Sequence, residues 1–411
     1  MANGEVSTYT SVANASSEGR LDIDVSPVIW HLAEPTDTPL NTLVGGDLYS
    51  DGKSTPTKVA GKIKKEVALE TSYKVIEKNP LARTWVGGAA VADTTTTTVP
   101  MVNAAGIQAG MLLRAQNQAA PEVLLVITYT SSTSLECRRN LGSTAYTIAA
   151  GTTFVCIGFA SKQGGSKRSI RAQLADPRTR YAQIFKNTYG ISGSLDQSKL
   201  VVDINAWDEE MKQAGREHQM DKEYAFWFNA AADSSTDSGS NTVYMTRGII
   251  AELMTDSECY TNANGTFDED FFFNTVLANA FKYGPSRKTL FADAELLGRI
   301  DKWARDRLKV HSDDNDYGLA ITELISVHGT VEIVHAGNFG QVLSTNESCF
   351  GVFLDLDRVV YKYMQKRDSQ MTENTQTPGD DVREATLLSE VGLSLRSLKH
   401  HHVVGNKLAG V

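Results

Sequence analysis

Three adjacent histidines near the end of the chain, His400, His401 and His402, are the residues best suited by type to hold a metal ion. Neighbouring residues of a strand point to opposite faces, so these imidazoles cannot converge on one ion without ligands from elsewhere. The pattern favours a structural role, and we predict neither a metal site nor a bound cofactor.

Two loops resemble ligand-binding loops only in part. Gly164-Gly165-Ser166-Lys167 lacks the spacing of a phosphate loop, and Asp313–Asp316 with Gly318 lacks the alternating ligands of a calcium loop. No GxSxG, GxxxxGK[ST] or HExxH motif occurs in the sequence. We therefore predict that the protein is not an enzyme.

Composition sets broad bounds. The 411 residues leave room for two or three domains, and 41% hydrophobic with 22% charged residues is typical of a soluble folded protein. No apolar run of about eighteen residues and no signal peptide is present, so we expect no membrane association and synthesis in a cytoplasm. A formal net charge of -9 disfavours nonspecific attraction to nucleic acid, and four scattered cysteines without a CxxC pair disfavour a disulfide scaffold.

The longest helical pattern runs from Ser194 to about Asn229. Ser194 and Gln197 have capping-box spacing, and no proline follows within the pattern. Seven residues that follow a helical spacing of three and four form one stripe along a single face of the helix: Ile204, Trp207, Met211, Ala214, His218, Ala225 and Phe228. We predict one continuous helix, on the order of 50 Å long, lying across a sheet.

The sequence before this helix is extended in character. Residues 1–21 are polar and aperiodic, which is typical of an arm, and short helical turns then carry Trp30 and Leu43, which we expect to dock on another element or subunit. Residues 83–160 are rich in β-branched side chains and turn residues and predict an all-β module.

A basic stretch follows the β-module: Lys162, Lys167, Arg168, Arg171, Arg178, Arg180 and Lys186. Three interpretations remain open. The stretch is a solvated face, or it reaches a neighbouring subunit and pairs with Asp208, Glu209 and Glu210, or it contacts DNA. The DNA alternative lacks the interleaved aromatic residues that single-strand binders use.

After the helix, strands and helices alternate. Thr266 and Glu269 predict a capped helix that ends before Gly284, and further elements are expected at 289–292 (strand), 294–308 (helix) and 331–335 (strand). Residues 352–356 and 359–363 predict a hairpin, and Glu384–Leu395 predicts a long final strand.

This order of elements resembles that of tailed-phage major capsid proteins over nearly the whole chain. The residues that carry the resemblance are Asp24-Val25-Ser26-Pro27, Thr38-Pro39-Leu40, Arg180-Tyr181-Ala182-Gln183-Ile184-Phe185, Ser192-Gly193-Ser194 and Glu384-Ala385-Thr386-Leu387-Leu388-Ser389-Glu390. None of these is a catalytic signature. The resemblance implies an α+β capsid fold, shared with encapsulins and the herpesvirus capsid floor.

The resemblance also implies a domain plan. Residues 1–50 would form the N-terminal arm, 51–82 and 161–193 the E-loop, and 83–160 a β-module inserted into it. Residues 194–258 and 346–395 would form the peripheral domain with its spine helix, and 259–345 with 396–411 the axial domain.

The function that the resemblance implies is structural. The chain would self-assemble into hexamers and pentamers of an icosahedral phage head that encloses DNA without sequence-specific binding. Expected partners are further copies, a portal, and scaffolding or decoration proteins, with assembly in the host cytoplasm. Deletion of residues 1–45 is expected to abolish shells and to leave a folded subunit. An encapsulin-like compartment and a soluble hydrolase remain as alternatives.

Overall fold

The structure is a computed structural model. It describes residues 38–44, 47–48, 57–58, 62–78, 80–92, 94–116, 122–139, 141, 146–164, 170–172, 174–197, 206–229, 234–236, 242–265, 267–304, 308–310, 322–343 and 349–406. The chain forms two compact units. The main unit comprises Met1–Val75 with Arg178–Val411, and the inserted unit comprises Ile76–Pro177.

Strands predominate among the described residues. In chain order they are β1 (Asp47–Leu48), β2 (Thr57–Lys58), β3 (Lys64–Ala68), β4 (Ser72–Glu77), β5 (Thr84–Val86), β6 (Thr98–Pro100), β7 (Met111–Ala115), β8 (Val123–Ser131), β9 (Ser134–Arg138), β10 (Thr153–Phe159), β11 (Asp176–Tyr181), β12 (Gln183–Ser192), β13 (Ser234–Thr236), β14 (Thr242–Tyr244), β15 (Tyr260–Asn262), β16 (Arg287–Ala292), β17 (Leu308–Val310), β18 (Thr322–Ile325), β19 (Thr330–His335), β20 (Gly351–Leu354), β21 (Val359–Met364), β22 (Gln370–Glu373), β23 (Val382–Leu395) and β24 (His402–Gly405).

The described helices belong to the main unit. They are α1 (Pro39–Val44), α2 (Gly193–Gln197), α3 (Ala206–Phe228), α4 (Ile249–Leu253), α5 (Leu277–Ala280), α6 (Ala294–Ala304) and α7 (Phe339–Val342), with a π-helical stretch, Phe271–Val276, directly before α5. Short 3-10 turns occur at Leu356–Arg358 and Leu398–His400.

The predicted spine helix corresponds to α2 and α3. Residues 198–205 lie outside the described residues, so the predicted continuity is not tested there. The predicted cap is displaced by two residues, because the Ser192 hydroxyl accepts the backbone N–H of Leu195 at 3.3 Å and α2 already begins at Gly193. The buried face of α3 also includes residues that the predicted stripe omits, notably Glu223, Phe226 and Trp227.

A five-stranded sheet lies beside α3 and has the order β12-β23-β21-β3, with β22 pairing with β23. The β12 and β23 strands are antiparallel over ten residue pairs, from Gln183 opposite Val391 to Ser192 opposite Val382. Alternate residues of β12 are buried, among them Phe185, Tyr189 and Ile191, as expected for a strand with one covered face. The predicted final strand is therefore present and begins two residues earlier.

A seven-stranded sheet has the order β15-β24-β20-β16-β19-β18-β17. The predicted hairpin of residues 352–356 and 359–363 is wrong: β20 pairs with β16 and β24, whereas β21 pairs with β23 and β3. The predicted domain boundary at residue 346 would thus separate β20 from the sheet to which it belongs. The predicted helix end at Leu308 is also wrong, since Leu308 begins β17.

The helix expected after Thr266 is present, and its predicted cap is not tested. Thr266 lies outside the described residues, and the Asp268 carboxylate accepts the backbone N–H of Phe271 at 2.8 Å. The helix is π-helical over its first part, and Phe272, Val276 and Leu277 are fully buried against the seven-stranded sheet.

The inserted unit contains a six-stranded sheet of order β5-β10-β7-β8-β9-β6. Its core is formed by apolar side chains such as Met111, Leu124 and Phe154, each fully buried. The chain enters this sheet at Thr84 and leaves it at Phe159, and Thr84 is paired with Val155 on the adjacent antiparallel strand.

Candidate intersubunit surfaces

A buried carboxylate on α3 binds the backbone of α1. Glu223 accepts backbone N–H groups of Leu40 at 3.0 Å and Asn41 at 2.8 Å, and the Trp227 indole N–H at 2.7 Å. The Asn41 side chain also donates to the carbonyl of Gln219 at 2.7 Å. Burial raises the pKa of Glu223 to about 7, against the lowering effect of these three donors.

Leu43 is one of the predicted intersubunit residues, and its surroundings contradict that role. Its side chain is 1% exposed and belongs to the hydrophobic core formed by α1, α3 and the sheets of its own chain. We expected Leu43 to dock either on another element or on another subunit, and in the structure it packs on other elements of its own chain. Trp30 lies outside the described residues.

Arg178 and Arg180 of β11 bind a carboxylate of their own subunit. Glu252 on α4 accepts Arg178 Nη1 at 3.3 Å and Arg180 Nε at 3.1 Å, and Arg180 Nη2 completes a two-pronged contact. Both arginines therefore have a carboxylate partner within their own subunit, and their pairing with the carboxylates at 208–210 of a neighbour stays a prediction. Sequence order gives no signal of this contact, since 72 residues separate Arg180 from Glu252.

Arg171 lies in the inserted unit. Its guanidinium donates to the backbone carbonyl of Ala82 at 2.8 Å and lies 5.8 Å from the ring centroid of Trp85, a cation–π distance. Lys167 and Arg168 lie outside the described residues. The described residues of the basic stretch are thus distributed over both units.

Asp208, Glu209 and Glu210 occupy the first turn of α3, where carboxylates interact favourably with the helix dipole. Asp208 and Glu210 are exposed, and Glu209 is half-buried. Beside them, the Arg383 guanidinium stacks 4.0 Å from the ring centroid of Trp207. The structure brings these three acids together with one another and not with the basic residues of β11.

The lysine-rich segment before β4 is tied to its own subunit by ion pairs. Lys62 binds Glu332 at 3.2 Å, and Glu66 binds both Lys362 at 2.6 Å and Arg396 at 2.7 Å. Hydrogen bonding from Lys362 is the largest cause that lowers the pKa of Glu66. These contacts fix β3 on the edge of the five-stranded sheet.

His218 joins three elements through a hydrogen-bond relay. Asn187 Nδ2 donates to Asp221 Oδ2 at 2.8 Å, so Asn187 Oδ1 accepts from His218 Nδ1 at 2.6 Å. His218 Nε2 then accepts the Ser389 hydroxyl at 2.7 Å. Ser389 is fully buried, so the relay holds α3 against β12 and β23 and offers no hydroxyl to a substrate.

The three terminal histidines diverge. His400 contacts Asp355 at 3.1 Å, His401 lies between the backbone N–H of Asp355 and the carbonyl of Arg396, and His402 pairs with Thr261 at 2.7 Å. Burial lowers the pKa of His401 to about 3 and that of His402 to about 4. Among the described residues, no three side chains of His, Cys, Asp or Glu are grouped to hold a metal ion.

Several large apolar side chains are exposed. Leu69 is 88% exposed in the main unit, and Leu174 is 90% exposed in the inserted unit. Val327, at the turn between β18 and β19, is fully exposed. Within the part of the chain that the structure describes, no helix combines the length and apolar composition needed to cross a bilayer.

The residues that the sequence analysis missed are chiefly buried carboxylates. Glu252 lies within the apolar run Ile249–Leu253, and Glu223 lies three and four residues before Phe226 and Trp227. A charge inside an apolar run requires a buried partner, which is a usable signal for a structural ion pair. The identity of the partner still required the fold.

The polar side chains described above join elements of one chain, as in the subunit of a structural protein. The family model described as SU10 major capsid protein matches residues 5–409. The chain belongs to this family, which confirms the resemblance to phage major capsid proteins and the α+β capsid fold expected from it. Its role is that of a structural protein of a capsid shell, and the encapsulin and hydrolase alternatives are not favoured.

Solved structures with a similar fold include capsid proteins. The capsid of a native GTA particle shares 10% identity over 98% of this chain and 100% of that chain, with a TM-score of 0.48. A chain of Mycobacterium phage Bobi shares 10% identity over 97% and 99%, with a TM-score of 0.47. The holo-SrpI encapsulin from Synechococcus elongatus shares 8% identity over 56% and 75%, with a TM-score of 0.41. No curated protein matches the chain.

Proposed function

We propose that copies of this chain assemble into hexamers and pentamers that close into the icosahedral head of a tailed phage. The observation that carries the proposal is the match to a major capsid protein family over residues 5–409. The head would enclose double-stranded DNA without sequence-specific contacts, consistent with a formal net charge of -9. The protein would act by assembly and without catalysis.

Exposed apolar side chains support an assembling subunit. Leu69, Leu174 and Val327 are almost completely exposed in a single chain, and burial against other copies would remove their apolar surface from water. Closed symmetry repeats each such contact many times, so modest contacts suffice for a stable shell. A portal and a scaffolding protein would complete the head during assembly in the host cytoplasm.

Each region of the chain would have its own role in the assembled shell. Residues 1–50 and the E-loop, 51–82 with 161–193, would overlap neighbouring subunits. The sheet of the inserted unit would act as a built-in decoration domain on the outer surface of the shell. The first and last strands of the sheet, β5 and β10, are paired neighbours, which supports the view that the sheet was added without disturbing the remainder of the chain.

Expression of the chain alone tests the main proposal. Sedimentation and negative-stain imaging should reveal closed or angular shells of megadalton mass. If only monomers form, co-expression with a candidate scaffolding protein is the decisive second experiment. Monomers in both arms would contradict the proposed function.

Two deletions separate the role of the arm from that of α1. Removal of residues 1–45 would delete α1 and leave Glu223 without its backbone donors, so we now expect an unfolded or weakened subunit from that deletion. Removal of residues 1–35 retains α1 and should give a folded subunit that forms no stable shells. Normal shells from the shorter deletion would refute the proposed role of the arm.

Excision of the inserted sheet tests the proposed decoration role. Residues 85–154 can be replaced by a short Gly-Ser linker, because Thr84 and Val155 are paired neighbours. We expect shells that still close and that lack outer density in cryo-electron microscopy. Density for the intact sheet on the inner surface of wild-type shells would contradict the proposal.

A further inference from the structure

The sheet of the inserted unit has one face covered by its core and one open face. Leu113 and Phe154 are buried in the core. Successive side chains of a strand point to opposite faces, so the neighbours of these residues, such as Arg114 and Val155, point away from the core. Arg114 and Val155 are paired with each other across β7 and β10. We call the surface formed by the outward side chains of β5, β7, β8, β9 and β10 the open face.

The centre of the open face is apolar. Leu112 of β7 is paired with Leu125 of β8, and both are half-buried, as is Val155 of β10. Val86, on the edge strand β5, is 46% exposed. An antiparallel sheet with one covered face usually has polar side chains on the other face, because that face is in water. The aliphatic side chains of the open face therefore indicate a surface that a partner covers.

Charge favours an acidic partner for the open face. Arg114 and Arg138 are exposed on it, and Glu136 lies two residues before Arg138 on the same face. Residues 76–177 contain nine lysines and arginines against five aspartates and glutamates, a net charge of +4. The remaining residues contain 31 against 44, a net charge of -13. Two inserted units would therefore repel each other, whereas an inserted unit and a main unit attract.

A groove in the main unit has the complementary character. Its volume is about 610 Å³, and it lies between residues 269–274 and the turn of residues 325–328. Two aliphatic side chains of this turn are exposed to water, Ile325 partly and Val327 completely. The groove therefore combines a wide opening with apolar surface that its own subunit leaves uncovered.

The charged side chains that line the groove include two adjacent carboxylates. Asp270 is exposed and Glu269 is half-buried. They precede the π-helical stretch, and the helix dipole favours acids at this position. The dipole does not account for Val327, an aliphatic side chain fully in water beside the same groove. A partner with both basic and apolar side chains would cover both features.

We propose that the open face of one copy packs on this groove in the main unit of a second copy. Arg114 and Arg138 would lie beside Glu269 and Asp270, and the apolar centre of the open face would cover Val327. The inference rests on the proposed function and specifies how the inserted unit would be fastened to a neighbouring subunit. Repetition by symmetry would let a modest contact of this kind contribute to a closed shell.

Cysteine cross-linking tests the contact. One chain carries Thr84→Cys on the open face, a second chain carries Val327→Cys in the groove, and the four natural cysteines are buried. Shells assembled from an equimolar mixture are treated with a short bismaleimide. We expect a covalent dimer on a denaturing gel, which only a contact between copies can produce. Val243→Cys, at another exposed valine of the main unit, replaces Val327→Cys as the control and should give at least tenfold less dimer.

Charge reversal tests the choice of partner. Arg114→Glu with Arg138→Glu, added to the Thr84→Cys chain, should lower the cross-linked fraction about tenfold, because like charges would then face each other. Lys78→Glu with Arg83→Glu is the matched control. Both of these residues are exposed in the same unit and lie outside the strands of its sheet, and the change in net charge is the same.

A compensating change gives the sharper result. Asp270→Lys in the Val327→Cys chain should weaken cross-linking to the unchanged open face and restore part of it to the reversed one. Circular dichroism and thermal unfolding check that each variant folds. If the double reversal on the open face prevents folding, Arg114→Gln with Arg138→Gln replaces it, with a smaller expected loss.

The outcomes separate this inference from the proposed function. If wild-type protein forms no shells with or without a scaffolding protein, the proposed function is wrong. If shells form and the dimer does not exceed the control, only the contact is wrong. Cross-linking that charge reversal leaves unchanged would overturn the charge complementarity from which the partner was chosen. Dimer at the control level, with duplex DNA binding that Arg114→Glu and Arg138→Glu abolish, would overturn the contact in favour of a DNA-binding face.

Discussion

The main unit and the inserted unit are stabilised by different kinds of buried residue. The core of the inserted unit is apolar, and the only buried charges among its described residues are Glu122 and Arg139, which bind each other at 2.7 Å. The main unit buries many ionisable groups, including Glu223, Lys288 and Glu252.

The difference follows from how each unit is connected. In the inserted unit, β7, β8 and β9 are consecutive hairpin strands, so alternation of apolar residues brings a core together locally. In the main unit, contacts join residues far apart in sequence. Lys288, for example, donates to the carbonyl of His400, 112 residues away, at 2.5 Å. Such directional contacts favour one arrangement of elements that apolar packing alone would not select.

The largest expected effect comes from removing the central aromatic side chain of either core. Trp227 is fully buried, with its ring centroid 5.1 Å from that of Phe291 and 5.0 Å from that of Phe339. Trp227→Ala should lower the free energy of unfolding of the main unit by about 3–5 kcal/mol. Phe154→Ala should do the same to the inserted unit. Hydrogen exchange read by peptide in urea reports each unit separately, and equal loss in both units from either variant would show that they unfold together.

The buried ion pair of the inserted unit should respond to the loss of one partner more than to the loss of both. Glu122→Gln leaves Arg139 buried without a carboxylate and should cost about 3 kcal/mol. Glu122→Leu combined with Arg139→Met removes both charges and should recover most of that loss. Urea midpoints of peptides from β7–β10 measure the effect. A lower urea midpoint for the double variant than for Glu122→Gln would show that the ion pair itself is net stabilising.

Acidification should destabilise the main unit selectively. Burial lowers the pKa of His218 to about 4, as it does for His401 and His402, so these groups bind protons in the unfolded state before the folded state. Stability contributed by them is therefore lost as the pH falls from about 6.5 towards 4. Glu223 acts in the opposite direction, because its pKa is raised to about 7 and it therefore binds its proton in the folded state first. It is a single group, whereas three histidines favour the unfolded state at low pH. The inserted unit contains no histidine.

The measurement is the urea midpoint of each unit at pH 7 and pH 5. We expect a lower midpoint at pH 5 for the main unit and little change for the inserted unit. His218→Gln should reduce the pH dependence of the main unit, whereas His328→Gln, at an exposed site, should leave it unchanged. An identical slope for His218→Gln and wild type would remove His218 from the explanation.

The smallest effect is expected from an exposed ion pair of the main unit. Lys282 binds Glu258 at 2.7 Å, but its side chain is 51% exposed, and Glu258 retains Lys399 as a partner. Lys282→Gln should change the free energy of unfolding by less than about 1 kcal/mol. A loss as large as that of Glu122→Gln would mean that burial does not explain the contrast between the units.

Local patterns in the sequence predicted many of the strands and helices. β-branched runs indicated the strands of the inserted sheet, and three- and four-residue steps indicated α3. Caps were less well predicted: at the start of α2 the Ser192 hydroxyl accepts the backbone N–H of Leu195, whereas we predicted Ser194 as the cap, because several adjacent side chains can cap one helix. Residues 352–363 were wrongly paired because two nearby strands can belong to different sheets.

The sequence by itself determined the types of element, the apolar core of the inserted sheet, the absence of familiar catalytic motifs, and the resemblance to capsid proteins. Those properties depend on residue type and short-range spacing. Only the tertiary structure decided which charges meet: Arg180 with Glu252, Glu66 with Arg396, and Glu223 with the backbone of α1. These partners are separated by 72 to 330 residues in sequence. An interaction between charges depends on their distance in space, and spacing along the chain does not specify that distance.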